Sequence, residues 1–408
     1  MQTVRIVVIG GGAAGFFAAI HCANANPSAE VILLEKSSKL LSKVKVSGGG
    51  RCNVTFACFD LKQLSLAYPR GEKQLKSAFS RFMTQDTVKW FESKGVKLKT
   101  EEDGRMFPVS DDSKTIIDCL MKEAKKSNVI VKTDSGVKTI KADFQGGFDL
   151  MLDYQQKIQA DRIIVASGGN SHADSFQWLK DLGHSIEEPV PSLFTFNIPD
   201  SPLTELTGIS VNPARVKILD SKFEFNGPVL ITHWGLSGPA VLKLSSFAAR
   251  YLNEKDYNFR VQVSWLNEKK EDVARLELMN LKAANPGKQI NHLFPYILPK
   301  RLMEYIFNKA NIGQKQPWSE ISKDDINRLI NVLIYDTYEV KGKTTFKDEF
   351  VTCGGINLDD INFKNMESKR MKGLYFAGEV LDIDGITGGF NFQAAWTTGY
   401  IAGTCAAK

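Results

Sequence analysis

The stretch Val4-Arg5-Ile6-Val7-Val8-Ile9-Gly10-Gly11-Gly12-Ala13-Ala14-Gly15 decides the fold of this chain. Its first half is β-branched and mostly apolar, which is typical of a strand buried in a parallel sheet. The glycines that follow fit the pattern Gly-x-Gly-x-x-Gly, and residues 16–25 predict a helix. Residues 31–34 then predict a second strand, which ends at the acidic residue Glu35. Strand, glycine turn, helix and acid-tipped strand in this order predict a site that binds a dinucleotide.

The residue types in the turn suit the binding of a pyrophosphate. Gly10 permits the tight turn from strand to helix, Gly12 lets the backbone approach the pyrophosphate, and Gly15 lets the helix pack closely on the sheet. The N-terminus of the helix stabilises the phosphate charge. Glu35 follows Gly15 by twenty residues, where its carboxylate can bind a ribose diol.

Four later segments indicate that the dinucleotide is FAD. They are a glycine-rich loop at residues 47–55, a strand ending in Ala166-Ser167-Gly168-Gly169, a strand ending in Ala377-Gly378-Glu379, and Gly388-Gly389-Phe390-Asn391-Phe392-Gln393 at the start of a small-residue helix. In this order they resemble the FAD-binding signatures of the glutathione-reductase-like superfamily, with Ser167 in place of Thr and Glu379 in place of Asp. A second Gly-x-Gly-x-x-Gly is missing from the sequence, so NADH or NADPH, as electron donor, would have to bind transiently by another route.

The sequence as a whole resembles the BaiN-like (YhiN-like) flavoprotein family, also labelled aminoacetone-oxidase-type FAD-binding enzymes. The matching segments are residues 47–53, Gly104-Arg105-Met106-Phe107-Pro108, Thr232-His233-Trp234-Gly235-Leu236-Ser237-Gly238-Pro239, Thr352-Cys353-Gly354-Gly355-Ile356 and residues 388–393. The resemblance implies an α/β fold with a Rossmann-like FAD-binding domain that is split in sequence into 1–190 and 346–408. The insert at 191–345 is then expected to have a β-barrel-like part at 191–285 and a small helical part at 286–338.

The composition is that of a globular protein with more than one domain. The chain has 408 residues, with 52 Lys and Arg against 46 Asp and Glu, a net charge of +6, which excludes a histone-like polycation and an acidic disordered chain. Six cysteines are scattered without a Cys-x-x-Cys pair, and the histidines are dispersed, so we predict neither a disulfide framework nor a metal site. We find no signal peptide and no transmembrane run, and we expect a cytoplasmic protein that does not bind a membrane.

Positive charge is concentrated in residues 36–81, which contain ten Lys and Arg but only two acidic residues. Two of these charges can be assigned to the FAD pyrophosphate, and the rest exceeds what a cofactor needs. One interpretation is a solvated surface, and the other is a surface beside the flavin that binds ribosomal RNA or its precursor. Phe56 and Tyr68 lie in the same stretch and are either buried or free to stack on bases.

Cys52 and His233 are the candidates for acid–base chemistry at the flavin. Cys52 follows Arg51 in the glycine-rich loop, where a cation and backbone N–H groups would lower the pKa of its thiol and let it protonate a reduced double bond. His233 precedes Trp234 in the insert, in a segment that could form a lid over the flavin. Alternatively, Cys52 packs under the flavin and His233 makes a structural hydrogen bond.

The predicted FAD site draws on all of the motifs above. Asn391 and Gln393 are expected to position the flavin or the substrate rather than to act as acid or base. The residues predicted to bind the cofactor are Gly10, Gly12, Ala13, Ala14, Gly15, Glu35, Lys36, Gly48, Gly49, Gly50, Arg51, Asn53, Val137, Ala166, Ser167, Gly168, Gly378, Glu379, Gly388, Gly389, Phe390, Asn391 and Gln393.

Three functions of different classes fit these motifs. The family resemblance implies an FAD-dependent reductase that forms dihydrouridine in large-subunit ribosomal RNA, with hydride transfer from flavin N5 to the C5=C6 bond of a uracil that has left its stack. The family labels also fit a small-molecule flavin oxidase or reductase that acts on an amine or an enone. A flavin-binding protein without turnover is the third hypothesis.

Overall fold

The computed structural model describes residues 3–143, 146–344 and 351–408. Within this range the backbone forms two compact units: one contains the described residues up to Ser192 and those from Val351 onward, and the other runs from Leu193 to Thr344. The chain thus leaves the first unit and returns to it after completing the second. The domain boundary expected at 190/191 lies inside the strand that ends at Ser192, and the boundary expected at 345/346 lies outside the described residues.

The described residues form strands and helices that alternate at the start of the chain and later occur in runs of one type. The strands are β1 Arg5–Ile9, β2 Glu30–Leu34, β3 Thr55–Phe56, β4 Leu98–Thr100, β5 Arg105–Pro108, β6 Ile130–Lys132, β7 Val137–Ala142, β8 Phe148–Leu152, β9 Lys157–Ala160, β10 Arg162–Val165, β11 Ile186–Ser192, β12 Thr195–Asn197, β13 Ser210–Ile218, β14 Glu224–Thr232, β15 Gly235–Ser237, β16 Asn258–Ser264, β17 Asp336–Lys341, β18 Lys343–Thr344, β19 Val351–Ile356, β20 Ile361–Asn362, β21 Glu367–Ser368 and β22 Leu374–Phe376. The α-helices are α1 Ala13–Ala25, α2 Ser42–Gly50, α3 Leu61–Ser65, α4 Glu72–Phe79, α5 Thr84–Ser93, α6 Lys114–Lys126, α7 Gln177–Lys180, α8 Pro239–Phe247, α9 Ala249–Glu254, α10 Glu271–Ala284, α11 Lys300–Lys309, α12 Lys323–Ile334 and α13 Phe390–Ala406. None of these helices is both long enough and apolar enough to span a membrane.

The first unit is built around a sheet whose described strands have the order β20-β21-β22-β10-β1-β2-β6. β1 pairs in parallel with β2 and β10, and further parallel pairs add β6 and β22. Residues 6–9 of β1 are all buried, as expected for a strand that is covered on both faces. The carboxyl ends of β1, β2 and β10 meet at one edge, and Gly10, Glu35 and Ala166 follow them. This is the edge at which doubly wound sheets bind their ligands.

Helices α1 and α13 pack against each other at close range. A Cβ atom on Gly399 would lie 2.7 Å from the carbonyl oxygen of Ala14, and one on Gly403 would lie 2.3 Å from that of Ala18. The two glycines therefore let the helix backbones approach more closely than any larger residue would allow. Both helices contribute to the same apolar core as β1. Helix α1 begins three residues earlier than the expected 16–25, because its first turn follows directly from the glycine turn.

The second unit contains an antiparallel sheet that closes on itself. Its described strands have the order β17-β16-β13-β14-β15-β12-β18. Only Gly342 separates β17 from β18, and these two strands pair with β16 and β12 respectively. The chain therefore joins the two ends of the sheet, which fits the β-barrel-like part that the family resemblance implies.

The helical part of the second unit begins earlier than expected. Helix α10 lies at Glu271–Ala284, within the 191–285 segment that the sequence-based division assigns to the barrel. Its residues Ala274 and Leu278 are one helical turn apart and are buried in the core that includes α11 and α12. The expected helical segment 286–338 is also wrong at its ends, since the chain before α11 is irregular and residues 336–338 belong to β17.

Candidate cofactor and active site

The turn between β1 and α1 leaves open space above its middle glycine. A Cβ atom on Gly10 would lie 2.3 Å from the carbonyl oxygen of Ala166, and one on Gly15 would lie 1.9 Å from that of Gly10. By contrast, a Cβ atom on Gly12 would have no neighbour within 4 Å. Gly10 and Gly15 are therefore required by the packing of the protein itself, whereas Gly12 leaves room for a ligand.

The N-terminus of α1 is prepared for an anion. Gly12 is its N-cap, and the first turn has neither a capping side chain nor an acidic residue. The N–H of Phe16 donates to the carbonyl oxygen of Gly12 at 3.0 Å, so the N–H groups of Ala13, Ala14 and Gly15 precede the first bond of the helix. Such N–H groups, together with the positive end of the helix dipole, bind phosphate.

Glu35 follows β2 with its carboxylate held by backbone groups. Oε2 accepts a hydrogen bond from the N–H of Gly11 at 2.8 Å, and Oε1 accepts bonds from the N–H and hydroxyl of Ser37 at 3.0 Å. Because a carboxylate oxygen accepts more than one bond, Oε2 retains capacity for a ribose hydroxyl. Lys36 comes next, and Val137 follows a glycine whose Cβ would lie 3.3 Å from the Cβ of Lys36. The structure thus brings Glu35, Lys36 and Val137 together.

The second glycine-rich segment, at the end of α2 where the backbone of residues 47–49 is not helical, lies beside a buried amide. Gly48, Gly49 and Gly50 have φ values of +58°, +69° and +85°, and a Cβ on either of the last two would meet no heavy atom within 4 Å. Asn53 is 8% exposed, and its Oδ1 has no hydrogen-bond donor among the described residues. An unsatisfied buried amide oxygen costs about 1–3 kcal/mol. A cofactor that donates a hydrogen bond at this position would remove that cost.

The ends of β10 and β22 lie at the same edge. Ala166 is buried and Ser167 is exposed, and Gly168, with a φ of +77°, borders open space. A Cβ atom on Gly378 would lie 2.8 Å from the Cβ of Ala14. The end of β22 therefore packs on the first turn of α1, and these predicted residues border the space above the glycine turn.

Lys43 lies at this edge as well, although the sequence interpretation left it out. Its Nζ is 2.5 Å from Oε2 of Glu379, in an ion pair whose side chains are 56% and 18% exposed. Two residues before Lys43, the N–H of Leu41 donates to the carbonyl oxygen of Gly11 at 2.9 Å. The only sequence signal for this residue was the positive charge of residues 36–81, because its acidic partner is 336 residues away.

Gly388 and Gly389 lead into α13 beside the buried amide. Gly389 is the N-cap with a φ of +95°, and its Cβ would lie 2.8 Å from Oδ1 of Asn53. Asn391 bonds twice to Gly385: its Oδ1 accepts the N–H at 2.8 Å and its Nδ2 donates to the carbonyl oxygen at 3.0 Å. The Asn391 side chain therefore shapes the loop that precedes the helix.

The expected role of Gln393 at the flavin or substrate is corrected by its surroundings. The side chain is fully buried, and its Oε1 accepts hydrogen bonds from the hydroxyls of Thr55 at 2.7 Å and Thr87 at 3.0 Å. Its Nε2 donates to Oγ1 of Thr397 at 3.1 Å. The amide thus holds α13 against two neighbouring elements of the core.

The expectation of a lowered pKa for Cys52 is wrong. The thiol is fully buried, and burial raises its pKa to about 12 although a hydrogen bond with Ser47 acts in the opposite direction. The guanidinium of Arg51 instead lies 3.9 Å from the ring centroid of Phe107, and its Nη1 donates to Oε1 of Glu101 at 2.6 Å. In this structure Arg51 is engaged by that carboxylate, and the thiol of Cys52 is buried away from solvent.

His233 lies in the second unit, in the turn between β14 and β15. Its side chain is exposed, and its ring centroid is 3.9 Å from that of Trp234. Its role as an acid stays a prediction. Across the part of the chain that the structure describes, no three His, Cys, Asp or Glu side chains are grouped as a metal site requires.

Phe56, which is half-buried, and Tyr68, which is buried, both contact Phe390 at the start of α13. Phe56 stacks on Phe390 with 4.7 Å between the ring centroids. Tyr68 is 1% exposed, and its hydroxyl donates to the carbonyl oxygen of Phe390 at 2.7 Å. Both rings therefore support the start of α13, and of the two alternatives Tyr68 takes the buried one.

The basic stretch 36–81 contains both paired and exposed cations. At least three of its basic side chains form ion pairs with acids outside the stretch: Lys43 with Glu379, Arg51 with Glu101, and Arg70 with Asp384. Exposed lysines nevertheless remain at Lys36, Lys39, Lys45, Lys62, Lys73 and Lys76.

Comparison with known proteins gives matches over the whole length. A family profile described as the HI0933-like protein Rossmann domain matches residues 4–405. The chain is 29% identical to 3-dehydro-bile acid delta(4,6)-reductase of Clostridium scindens, with 99% of each chain covered. It is 30% identical to the ribosomal RNA dihydrouridine synthase of Haemophilus influenzae, with 97% of this chain and 96% of that protein covered.

Two solved structures share the fold at low identity. The 3-ketosteroid-delta4-(5alpha)-dehydrogenase of Rhodococcus jostii RHA1 aligns with a TM-score of 0.53 and 14% identity, covering 100% of this chain and 98% of that one. The 3-ketosteroid delta1-dehydrogenase of Sterolibacterium denitrificans aligns with a TM-score of 0.52 and 12% identity, covering 100% of both chains. The family match together with the open space above Gly12, the placed carboxylate of Glu35 and the unsatisfied amide of Asn53 fits FAD as the cofactor.

Proposed function

Because the chain belongs to the HI0933-like family and is an FAD-dependent oxidoreductase, we propose that it reduces a carbon–carbon double bond conjugated to a carbonyl group. The substrate that we propose is uracil in large-subunit ribosomal RNA, which becomes dihydrouracil when its C5=C6 bond is reduced. The reductant is NADH or NADPH, which binds transiently.

The names of two relatives support the reaction class. One is a delta(4,6)-reductase of a 3-dehydro-bile acid, and the other is a dihydrouridine synthase. Both names describe the addition of two hydrogens to a C=C bond that is conjugated to a carbonyl. Such a bond is polarised, so hydride adds to the carbon remote from the carbonyl and a proton adds to the nearer one.

Positive charge is the observation that favours RNA over a steroid. Residues 36–81 retain six exposed lysines besides the cations that are paired with acids. Neutralising phosphates with lysines releases counterions and supplies most of the sequence-independent affinity for RNA. A bile acid carries one carboxylate and would need far less of this charge.

The residues of this chain bind and orient the cofactor. FAD, when bound and reduced, supplies the hydride. The N-terminus of α1 would hold its diphosphate, and Glu35 would accept hydrogen bonds from a ribose. The amide of Asn53, beside Gly389, is available to a donor on the cofactor.

Nucleoside mass spectrometry of large-subunit ribosomal RNA tests the proposal in the source organism. We expect a dihydrouridine peak to disappear when the gene is deleted and to return with the wild-type gene but not with a Gly12→Asp variant, whose carboxylate would occupy the phosphate position. An unchanged dihydrouridine content in the deletion strain would contradict the RNA substrate. In that case an enone metabolite such as a 3-oxo-4,6-diene steroid becomes the substrate to test, by anaerobic reoxidation of the reduced flavin.

A further inference from the structure

We propose that Lys43 is a positioning residue for FAD: its ammonium group shields the cofactor diphosphate from the carboxylate of Glu379. The ion pair between these two residues, with 2.5 Å between Nζ and Oε2, would otherwise be an ordinary surface contact of little energetic value. Its location at the diphosphate-binding edge gives it a function.

Two contacts place the pair beside the glycine turn. The N–H of Leu41, at the N-terminal end of α2, donates to the carbonyl oxygen of Gly11 at 2.9 Å, so α2 begins against the turn. Gly378 packs on Ala14, with 2.8 Å between the Cβ of Ala14 and a Cβ built on the glycine. Lys43 follows the first contact by two residues and Glu379 follows the second by one, so their ion pair links two segments that both contact the glycine turn or the first turn of α1.

The charges at this edge require compensation. A diphosphate brings two negative charges to the N-terminus of α1, where the helix dipole alone offers about half an elementary charge. Glu379 is only 18% exposed, so solvent screens its negative charge incompletely. A cation that pairs with Glu379 removes the repulsion between the carboxylate and the diphosphate, and Lys43 is the cation that the structure places there.

A double-mutant cycle on the purified full chain tests the inference. The variants are Lys43→Gln, Glu379→Gln and the double variant, and Lys45→Gln is the control because this exposed lysine lies on the same helix. The affinity of each apoprotein is measured at low salt for FAD, for ADP, which contains a diphosphate, and for adenosine, which does not.

We expect Lys43→Gln to weaken the binding of FAD and of ADP about tenfold or more, because the diphosphate then lies near a carboxylate without its cation. The affinity for adenosine should stay within twofold of the wild type. The double variant should recover to within about threefold of the wild type, and Lys45→Gln should bind all three ligands as the wild type does. Equal binding of FAD by Lys43→Gln and Lys45→Gln would overturn the inference. It would also be overturned if the double variant bound no better than Lys43→Gln, since the lysine would then act without reference to Glu379.

Discussion

Arg70 and Asp384 form a bidentate ion pair that joins the segment between α3 and α4 to the loop before α13. Nε and Nη2 of the guanidinium donate to the two carboxylate oxygens, and the side chains are 13% and 0% exposed. Burial acts to lower the pKa of Arg70, but Asp384 raises it overall and keeps the guanidinium charged. Ser192 adds a hydrogen bond from its hydroxyl to Oδ2 of Asp384 at 2.6 Å. The loop that leads to Gly389 is therefore held in place by Arg70 and Ser192, which lie far from it in the sequence.

Removing one charge of this pair should cost much of the stability of the first unit. We expect Asp384→Asn to lower the free energy of unfolding of the apoprotein by about 3–5 kcal/mol, because it leaves a buried guanidinium without its counter-charge. The double variant Arg70→Met/Asp384→Leu should lose less than Asp384→Asn alone. Urea unfolding measures both, and a loss below 1 kcal/mol in Asp384→Asn would contradict the buried pair.

Replacing Gly12 by Ala should affect cofactor binding, whereas replacing Gly15 by Ala should affect the stability of the protein. In Gly12→Ala the new Cβ projects into open space at a φ of −92°, so the apoprotein should keep its free energy of unfolding to within about 0.5 kcal/mol. FAD should bind at least about tenfold more weakly, because the methyl group occupies the approach of the diphosphate.

Gly15→Ala is the matched variant, and it should destabilise the apoprotein itself since its Cβ would lie 1.9 Å from the carbonyl oxygen of Gly10. Thermal unfolding of both apoproteins and titration with FAD separate the two roles. Wild-type affinity for FAD in Gly12→Ala would show that the cofactor does not use this space.

His21 should make the stability of the protein depend on pH between about 6.5 and 4. Burial lowers its pKa from 6.5 to about 4, although its hydrogen bond to the carbonyl oxygen of Phe17 acts in the opposite direction. Because the unfolded chain binds this proton at higher pH than the folded chain, the stabilisation is complete above pH 6.5. We expect it to fall by about 3 kcal/mol as the pH approaches 4. In the His21→Phe variant the free energy of unfolding should no longer fall between pH 6.5 and 4, whereas a variant of the exposed His172 should still show this fall. If the fall is unchanged in His21→Phe, other groups cause it.

Lysines of α3 and α4 should contribute to RNA affinity. Their helices lie next to the loop that precedes α13, since the N–H of Ile386 donates to the carbonyl oxygen of Ala67 at 2.9 Å. Replacing the exposed Lys62, Lys73 and Lys76 together by Gln should weaken binding of a large-subunit RNA fragment by the holoenzyme about tenfold. The slope of log K for RNA binding against log salt concentration should also become less steep by about 2.

The control for this experiment carries the same change of charge elsewhere on the first unit. It replaces Lys122, Lys125 and Lys126, which are exposed on α6. FAD occupancy should be the same in all three proteins. Equal weakening by both triple variants would mean that only the net charge matters, and it would remove the proposed RNA-binding surface.

The edge of the sheet where the carboxyl ends of β1, β2 and β10 meet could be predicted from the sequence, because short local segments determine its backbone geometry. Gly10, Gly12 and Gly15 act within one turn of chain, and Glu35 directly follows a strand that pairs with the strand before the turn. The order of the later motifs then placed the remaining strand ends at the same edge. Each of these inferences depends on backbone geometry, which a short stretch of sequence determines.

The roles of individual side chains depended on partners far away in the chain. Gln393 accepts hydrogen bonds from Thr55 and Thr87, which precede it by more than 300 residues. Lys43 pairs with Glu379 across a similar separation in sequence. Cys52 was expected to be activated by its neighbour in sequence, but burial determines its pKa. Sequence identifies which residues lie in the loop, whereas burial and distant partners decide what each of them does.

The proposed function is tested most directly by a single turnover with RNA. The holoenzyme is reduced anaerobically and mixed with large-subunit ribosomal RNA that lacks the modification, and flavin absorbance and dihydrouridine are measured on the same sample. We predict that the flavin is reoxidised and that one dihydrouridine forms for each flavin. Reduced flavin that persists in the presence of this RNA, without dihydrouridine, would contradict the account.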